Sequence, residues 1–499
     1  MLRTHDVPRR SPAGLALLGL LCLSLTPGTL RAAPELSLRA NPTHGLFVFV
    51  EALSGVPNHS PLFAELFAGS RHDTPEARAR LRTYRALRDR FLRGGQRYAG
   101  YPEERRDMGW DVARLVTLQS ALARDLPDFG GRIATLLPVA EHRQYLELLG
   151  SFEPIYRELI WKPSEPRLAR YRKALEQLAR RIRFPELFAK LARFYGAAWP
   201  EAQPVVVVLH PIPAARGRTN ATILGPVASV EALVDERDLV GRFGVIVHEL
   251  CHALYQAQPP ERQRALLGAF RRSPSPYAPH AAGLLDEALA TAIGNGWVER
   301  TLRGTADESW YADGDIDRFA KLLVGRVERY LEAKRPLDEA FVREAIGRVA
   351  EKMPDVRVAY RSRLKRAFLA TDGETFTTQE GVRQLRRAFT AQSIFHSSPL
   401  DHAQTVQAFR EAGPEAAVVL VVTPQRRAQL RGLAAAAPPL ARWLKQLEAQ
   451  RGSFVFAAAD ERQRPWVVVV ASKVEELERA LAELKRAGKP GARPSITAL

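Results

Sequence analysis

Residues 245–254 read VIVHELCHAL, and they contain the pattern His-Glu-x-x-His inside an apolar run that is compatible with a helix. Positions i and i+4 of a helix lie on one face, so His248 and His252 can present two imidazoles to one metal ion. Glu249 follows directly and can reach a water bound to that metal. A hydrolytic zinc site needs fixed ligands, one open position for water and a neighbouring base. The segment therefore predicts a helix that carries a metal site.

The residues around the two histidines favour a buried ligand helix. Leu250 and Cys251, at the two variable positions, are uncharged, and Val, Ile and Val precede the first histidine. Apolar neighbours bury such a helix without placing a charge beside the metal-binding face. The alternative is a buried amphipathic helix with two hydrogen-bonded core histidines. We favour the metal site, because zinc sites with this spacing recur in proteins.

The third metal ligand decides the class of site. A pattern that continued to Gly at 255 and His at 258 would place three histidines on one segment, but this chain has Tyr255 and Gln258. A three-histidine site on one segment is therefore excluded. Residues 284–293, LLDEALATAI, form a second helix-like run, and its carboxylates are the best remaining candidates.

Glu287 is the predicted third ligand. Small residues share its helix face, so that face can approach the first helix closely. These residues are Ala290, Thr291 and Gly294. Asp286, the second candidate, shares its face with Leu289 and Ile293, as in core packing, and His280 in a Pro-rich loop is a third. The two acidic residues could also be a solvated helix start that the helix dipole favours.

This arrangement resembles the gluzincins, zinc metallopeptidases of the thermolysin-like superfamily, in which a downstream Glu on a second helix completes the site. The resemblance is specific over residues 200–300, and the whole chain also resembles poorly characterised secreted bacterial proteins. It implies a zincin-like catalytic domain, one catalytic Zn²⁺ held by His248, His252 and Glu287, and a peptide or protein substrate. Many members carry an Asp four residues after the ligand Glu, where this chain has Thr291.

The resemblance also implies catalytic roles. Glu249 would act as general base on the metal-bound water and then pass the proton to the leaving amine. Gluzincins often stabilise the developing oxyanion with a Tyr or His beyond the third ligand. Tyr311 is the predicted donor, and Tyr277, Tyr330 and His210 are the alternatives. An aromatic residue in such a position can also serve packing alone.

Two strands are predicted before the ligand helix. Residues 204–210, PVVVVLH, are a β-branched run typical of a buried strand, and residues 219–224 form a returning strand before Gly225-Pro226. In gluzincins an edge strand above the site holds the substrate in extended form, which uses backbone hydrogen bonds. By resemblance, residues 220–222 would be that edge. An ordinary hairpin is the alternative.

The chain is basic, as nucleic-acid-binding proteins often are, but the distribution of its charges argues against nucleic acid as a partner. The formal net charge is +18, and Arg is far more frequent than Lys. The arginines are spread along the helical segments, often four residues after a Glu, as in Glu176 and Arg180. No nucleic-acid motif or basic tail is present, so we expect no nucleic-acid binding. No pattern indicates an oligomeric state.

The N-terminus has the pattern of an export signal. Arg3, Arg9 and Arg10 precede a short apolar run at residues 13–25, with a small-residue cleavage point after Ala32. The run is too short to span a bilayer comfortably, so no stable membrane span is expected. The mature protein would be periplasmic or secreted. It would keep Cys251 but not Cys22, and so would have no internal disulfide.

The chain is predicted to be α+β and mainly helical, with a zincin-like catalytic domain between a helical region and a small α/β domain. The α/β domain is indicated by strands at residues 417–422, 454–456 and 466–470 and by a helix at 474–484. The predicted boundaries follow the changes in pattern along the chain. They are 1–32 for the signal peptide, 33–199 for the mostly helical N-terminal region, 200–372 for the metallopeptidase domain, 373–414 for a linker and 415–499 for the α/β domain.

Three functions are compatible with these patterns. The first is an exported zinc metallopeptidase that hydrolyses peptide bonds. The second is a non-proteolytic relative that binds peptides or envelope polymers, but such a protein would not need Glu249. The third is a zinc amidase of cell-wall peptides, since the same residues can serve any amide bond.

Overall fold

The structure is a computed structural model that describes residues 34–91, 112–200, 203–389, 391, 393–413, 416–491 and 493–499. The predicted signal peptide, with Cys22, lies outside these residues. The described chain is α+β and mostly helical, with two mixed sheets. Within it, no helix combines the length and apolar character that crossing a membrane requires.

The N-terminal part is one strand followed by helices. Asn41 caps the first helix, because its side-chain oxygen accepts the His44 N–H at 3.0 Å, and Pro42 follows at the first helical position. The apolar residues 46–50 lie inside this helix. The elements are β1 Leu36–Ala40, α1 Pro42–Leu53, α2 Pro61–Ala68, α3 Pro75–Phe91, α4 Val112–Leu122, α5 Leu126–Ile133, α6 Val139–Tyr156, α7 Lys162–Arg181 and α8 Phe184–Tyr195, with a π-helical turn at Arg157–Trp161.

The first sheet contains β1 with β2 Val205–Ile212, β3 Ala221–Leu224 and β4 Val227–Leu233, in the order β1-β2-β4-β3. Both predicted strands are present. The returning strand β3 pairs antiparallel with β4, whereas β2 pairs parallel with β4. The sequence analysis missed β4, whose apolar run is interrupted by Ser229 and Glu231. β3 therefore lies at the edge of the sheet, directly after Asn220.

The two faces of this sheet pack against different helices. Val206 and Val208 of β2 pack with Ala121 of α4. The alternating residues Val207 and Leu209 point to the main core, which includes α9 Leu239–Gln256, the predicted ligand helix. α9 packs directly on β3 and β4. The sheet thus supports the ligand helix on one face only.

Five further helices follow the ligand helix along the chain. They are α10 Pro260–Arg272, α11 Ala278–Thr291, α12 Glu299–Arg303, α13 Gly314–Glu332 and α14 Glu339–Lys352. A π-helical turn at Ala292–Val298 joins α11 to α12. α11 and the π-helical turn both pack against α9. Cys251 of α9 is a buried free thiol within this core, as expected for a packing residue.

The C-terminal part is built on a six-stranded sheet with the order β10-β8-β9-β7-β5-β6. β5, β6, β7 and β9 run parallel, and β8 and β10 are antiparallel to their neighbours. The elements are α15 Tyr360–Arg363, β5 Arg366–Thr371, α16 Thr375–Phe389, β6 Ser393–Ser397, α17 Ala403–Glu411, β7 Ala417–Val422, α18 Leu430–Ala434, α19 Pro438–Ala449, β8 Phe454–Ala459, β9 Pro465–Val470, α20 Val474–Ala487 and β10 Ser495–Ala498, with 3₁₀ turns at Pro354–Arg357 and Pro424–Gln429.

The segment 373–414, predicted as a linker, instead contributes α16, β6 and α17 to this unit. β5, placed in the preceding domain, belongs to the same sheet. The physical reason is that β6 is an edge strand with the polar sequence SIFHS, so it lacks the apolar run that marks buried parallel strands. The three C-terminal strands and the helix predicted beyond residue 415 are all present.

Candidate metal centre

The ligand helix α9 begins at a cap and is buried through its middle. Asp238 precedes it, and its Oδ1 accepts the Gly241 N–H at 3.0 Å. The β-branched residues before His248 are weak helix formers, but packing of this helix in the core outweighs that preference. His248, Glu249 and His252 are only 6%, 9% and 9% exposed. The pattern His-Glu-x-x-His therefore sits on a rigid, buried helix.

Three side chains from two helices converge on one point. The Nε2 atoms of His248 and His252 are 3.0 Å apart. Glu287 of α11 places Oε2 3.4 Å from Nε2 of His248 and Oε1 3.5 Å from Nε2 of His252. One ligand atom from each of the three residues lies within 4.8 Å of the others, close enough to hold one metal ion.

The outer nitrogen of each histidine has its own acceptor. Nδ1 of His252 donates to Oδ1 of Asp286 at 3.1 Å, and Nδ1 of His248 donates to Oδ1 of Asn295 at 3.2 Å. A carboxylate only accepts, so it sets the tautomer of His252 with the proton on Nδ1. The amide oxygen does the same for His248. Both Nε2 atoms then face each other and the Glu287 carboxylate, and a cation between them would take the place of the protons that they otherwise share with that carboxylate.

The electrostatics of the three residues fit a cation. Burial alone would raise the pKa of Glu287, but the neighbouring imidazoles of His248 and His252 lower it well below its usual range. Burial likewise opposes charging of His252, yet the carboxylates of Asp286 and Glu287 raise its pKa well above the usual value. Oε2 of Glu287 is also buried without a hydrogen-bond partner. Two imidazoles and a carboxylate are a donor set that suits zinc.

Glu249 lies beside this cluster in a poorly hydrated position. Burial raises the pKa of its carboxyl group; the nearby histidines oppose the shift, and the carboxylates of Glu287 and Asp286 add to it. A carboxylate with a raised pKa is a better match for proton transfer near neutral pH than an exposed one. Its environment thus favours proton transfer near neutral pH.

Among the residues predicted as possible oxyanion donors, Tyr311 lies beside the cluster of His248, His252 and Glu287. Its ring stacks on that of His248, with centroids 5.9 Å apart and planes 10° from parallel. Burial, followed by the charge of Glu287, raises the pKa of Tyr311, so the hydroxyl keeps its proton at neutral pH. Asp313, two residues on, caps α13 by accepting the Asp315 N–H at 3.0 Å, which anchors the loop.

The other predicted oxyanion donors lie away from this cluster. Tyr330 packs between the rings of Phe194 and Phe341. Tyr277 lies under the guanidinium of Arg357. His210 contacts His44 on the sheet face opposite α9.

The alternative third ligands are also separate from the metal-binding point. His280 is 3.4 Å from Nη1 of Arg363. Asp286 reaches the outer nitrogen of His252 and not the inner one. Both therefore lie outside the three-residue cluster.

Asn295 is the site residue that the sequence analysis missed. The expected partner position was 291, but the Thr291 hydroxyl is buried without a hydrogen-bond partner. In a continuous α-helix, Asn295 would lie roughly 80° from the Glu287 face. The π-helical turn bonds i to i+5 and takes up an extra residue per turn, which rotates Asn295 back towards His248. The glycines on both sides of Asn295 are the only local sign of this irregularity.

The residues that accept hydrogen bonds from His252 and His248 should affect the affinity for the metal. We expect Asp286→Ala and Asn295→Ala each to weaken metal binding about ten- to hundredfold, because the imidazole loses its orientation and basicity. Competition with a chelator measures this. Glu332→Ala, an exposed change on α13, is the control. Unchanged affinity in both site variants would contradict the proposed role.

Close packing of glycines brings the two ligand helices together. A Cβ on Gly294 would lie 2.4 Å from the Gly244 carbonyl oxygen and 2.7 Å from the His248 nitrogen. A Cβ on Gly244 would lie 2.8 Å from the Gly294 oxygen. These contacts agree with the small-residue face predicted around Glu287. No larger residue fits at position 294 without moving the π-helical turn away from α9.

Glu299, which packs against Gly244, is a buried acid with an unsatisfied oxygen. Burial, then the nearby carboxylates of Asp307 and Asp238, raises its pKa from 4.5 to about 7. Because the folded pKa is raised, ionisation costs stability increasingly as pH rises from about 4.5 through 7.

Glu299→Gln should therefore stabilise the fold by about 1–3 kcal/mol at pH 8, with the gain vanishing near pH 4. Denaturant unfolding at both pH values tests this. The exposed change Glu308→Gln is the control. A gain of equal size at both pH values would exclude Glu299 ionisation as its cause.

No family model, curated protein or solved structure matches the chain.

Proposed function

We propose that this protein is a zinc-dependent metallopeptidase. The observation that carries the proposal is the convergence of His248, His252 and Glu287 on one point, with Glu249 on the same buried helix. This is the residue set that activates water in zinc hydrolases. The predicted leader would place the activity outside the cytoplasm.

The chain supplies a distinct group for each part of the reaction. His248, His252 and Glu287 would hold the zinc ion, which when bound supplies Lewis acidity to water and to the scissile carbonyl. Glu249 would accept a proton from the attacking water and give it to the amine nitrogen as the peptide C–N bond breaks. The protonated Tyr311 hydroxyl would donate a hydrogen bond to the carbonyl oxygen as negative charge develops there.

A peptide is the substrate that the neighbouring sheet suits best. β3 is the edge strand of the described sheet and packs on α9, and its outer edge could pair with an extended chain if that chain displaces Arg114, which donates to the Ile223 carbonyl oxygen at 2.7 Å. The start of this strand is anchored, because the buried Glu231 carboxylate accepts the Asn220 N–H at 2.7 Å and the Ser60 N–H at 3.0 Å. A rigid edge reduces the entropy lost when a substrate strand is ordered.

Metal content tests the ligand set directly. We expect about one zinc ion per chain in the purified protein and much less in Glu287→Ala, since zinc needs the third fixed ligand. Elemental analysis after removal of loosely bound metal is the measurement. Glu261→Ala, on the exposed face of α10, should keep its zinc. Equal zinc in Glu287→Ala and wild type would eliminate Glu287 as a ligand.

A further inference from the structure

The loop that carries Tyr311 is anchored just before this residue. It covers residues 304–313, between α12 and α13. The Trp310 N–H donates to Oδ1 of Asp317 at 2.8 Å. A Cβ on Gly296 would lie 2.7 Å from Cζ3 of Trp310, so the indole ring packs directly on the π-helical turn. The helices around the metal centre therefore fix the N-terminal side of Tyr311.

The anchor after Tyr311 comes from the C-terminal unit, the α/β part built on the six-stranded sheet. Nζ of Lys365 donates to Oδ1 of Asp313 at 2.7 Å and lies 2.6 Å from Oδ2. The side chains of Lys365 and Asp313 are only 13% and 15% exposed. Salt screens such a pair less than an exposed ion pair, and removal of one partner leaves the other charge poorly hydrated. A charge pair that is mostly shielded from solvent thus joins the loop to the C-terminal unit.

The C-terminal unit fixes the backbone around Lys365. This residue directly precedes β5, and Leu364 and Ala367 on either side of it are buried in the core of the six-stranded sheet. Tyr360, buried in the same core, donates its N–H to the Gly488 carbonyl oxygen at 2.8 Å. Packing within the C-terminal unit therefore sets the position from which the Lys365 ammonium reaches the loop.

A neighbouring set of contacts docks α13 itself. The buried carboxylate of Asp315 accepts hydrogen bonds from Oγ of Ser362 at 2.6 Å and from Nε of Arg361 at 3.3 Å. Asp315 lies in the first turn of α13, beyond the cap residue Asp313. Nζ of Lys365 is 3.4 Å from Asp315, but its shorter contacts are those to Asp313. Ser362 therefore holds the helix at the same junction, whereas Lys365 holds the end of the loop.

We propose that Lys365 is a positioning residue for Tyr311, so that the C-terminal unit completes the active site. Asp313 accepts the N–H groups of Asp315 at 3.0 Å and Ile316 at 3.3 Å, which fixes the chain two residues after Tyr311. Under the proposed function, which this role presupposes, the Tyr311 hydroxyl must lie within hydrogen-bond distance of the developing oxyanion. A displacement of about 1 Å is enough to lower the rate of such a step. Without the Lys365 ammonium, the loop can make that displacement.

The test is a double-mutant cycle of Lys365→Met with Tyr311→Phe. Methionine keeps much of the lysine stem and removes the ammonium. We expect Lys365→Met to keep its zinc and its KM and to lose about tenfold in kcat, because a contact made in the transition state is weakened. In the Tyr311→Phe background, Lys365→Met should lower kcat no further. Losses that add in the double variant would overturn the positioning role.

Ser362→Ala is the matched control, because it removes a donor from the same junction without touching Asp313. It should lower stability and leave kcat at the wild-type value. An equal fall of kcat in Ser362→Ala and Lys365→Met would assign the effect to docking of the two parts of the chain and overturn the role of Lys365.

Hydrogen exchange measured by mass spectrometry tests the anchor without reference to hydrolysis. In Lys365→Met, peptides that cover residues 304–316 should exchange at least about tenfold faster than in wild type, while α9 should be unchanged. Unchanged exchange over 304–316 would overturn the anchoring of the loop. Wild-type protein that cleaves no peptide would contradict the proposed function instead, and the exchange rates would still decide whether Lys365 holds the loop.

Discussion

Glu249→Gln should keep its zinc and lose peptide hydrolysis by about 100-fold to 10,000-fold. Glutamine is almost the same size as glutamate, so packing around the two histidines should persist. The amide cannot accept the proton that the attacking water must release. The prediction is checked by elemental analysis together with the turnover of unstructured protein and peptide substrates.

The control for this variant is Glu261→Gln, which removes a carboxylate from the exposed face of α10. It should retain the full wild-type rate. Hydrolysis by Glu249→Gln at the wild-type rate would rule out the proposed mechanism. A wild-type protein that binds zinc and peptides but cleaves no amide bond would instead favour a non-catalytic binding role.

Gly294→Ala should cost about 1–3 kcal/mol of folding stability and most of the bound zinc. The new methyl group would lie 2.4 Å from the Gly244 carbonyl oxygen and 2.7 Å from the His248 nitrogen. Both neighbours are backbone atoms of a core helix, so the π-helical turn must move away. That movement would separate Asn295 from its hydrogen-bond partner His248, and it would displace the helix that contains Glu287.

Gly347→Ala is the matched control, because an added Cβ there meets nothing within 4 Å. It lies inside the helix α14, where alanine is preferred to glycine, so its stability should be unchanged or slightly higher. Denaturant unfolding and zinc content measure both variants. Unchanged zinc content and stability in Gly294→Ala would show that the helix approach is less tight than these distances imply.

The sequence allowed much of the site to be predicted because its ligands follow helix periodicity. His248 and His252 are four residues apart, and the small residues beyond Glu287 correctly indicated a close approach between helices. Asn295 could not be found in the same way. A π-helical turn changes which residues share a face, and the family resemblance drew attention to Thr291 instead.

The errors in the fold also have local causes. β4 contains Ser229 and Glu231, which face a polar cavity and interrupt its apolar pattern. β6 is a polar edge strand, so residues 373–414 resemble a linker in composition. Both strands depend on partners distant along the chain, which a pattern within a short window does not reveal.

The proposed metal ligands come from α9 and α11, and α10 lies between these helices along the chain. Neither helix alone carries a complete ligand set. The site therefore exists only when the two helices have docked, and an unfolded chain has no comparable affinity for the ion. By mass action, any ion that binds the docked pair shifts the folding equilibrium in its favour. Under the proposed function, metal supply and survival of the folded chain would thereby be coupled, so metal scarcity would shorten the lifetime of the protein as well as reduce its activity.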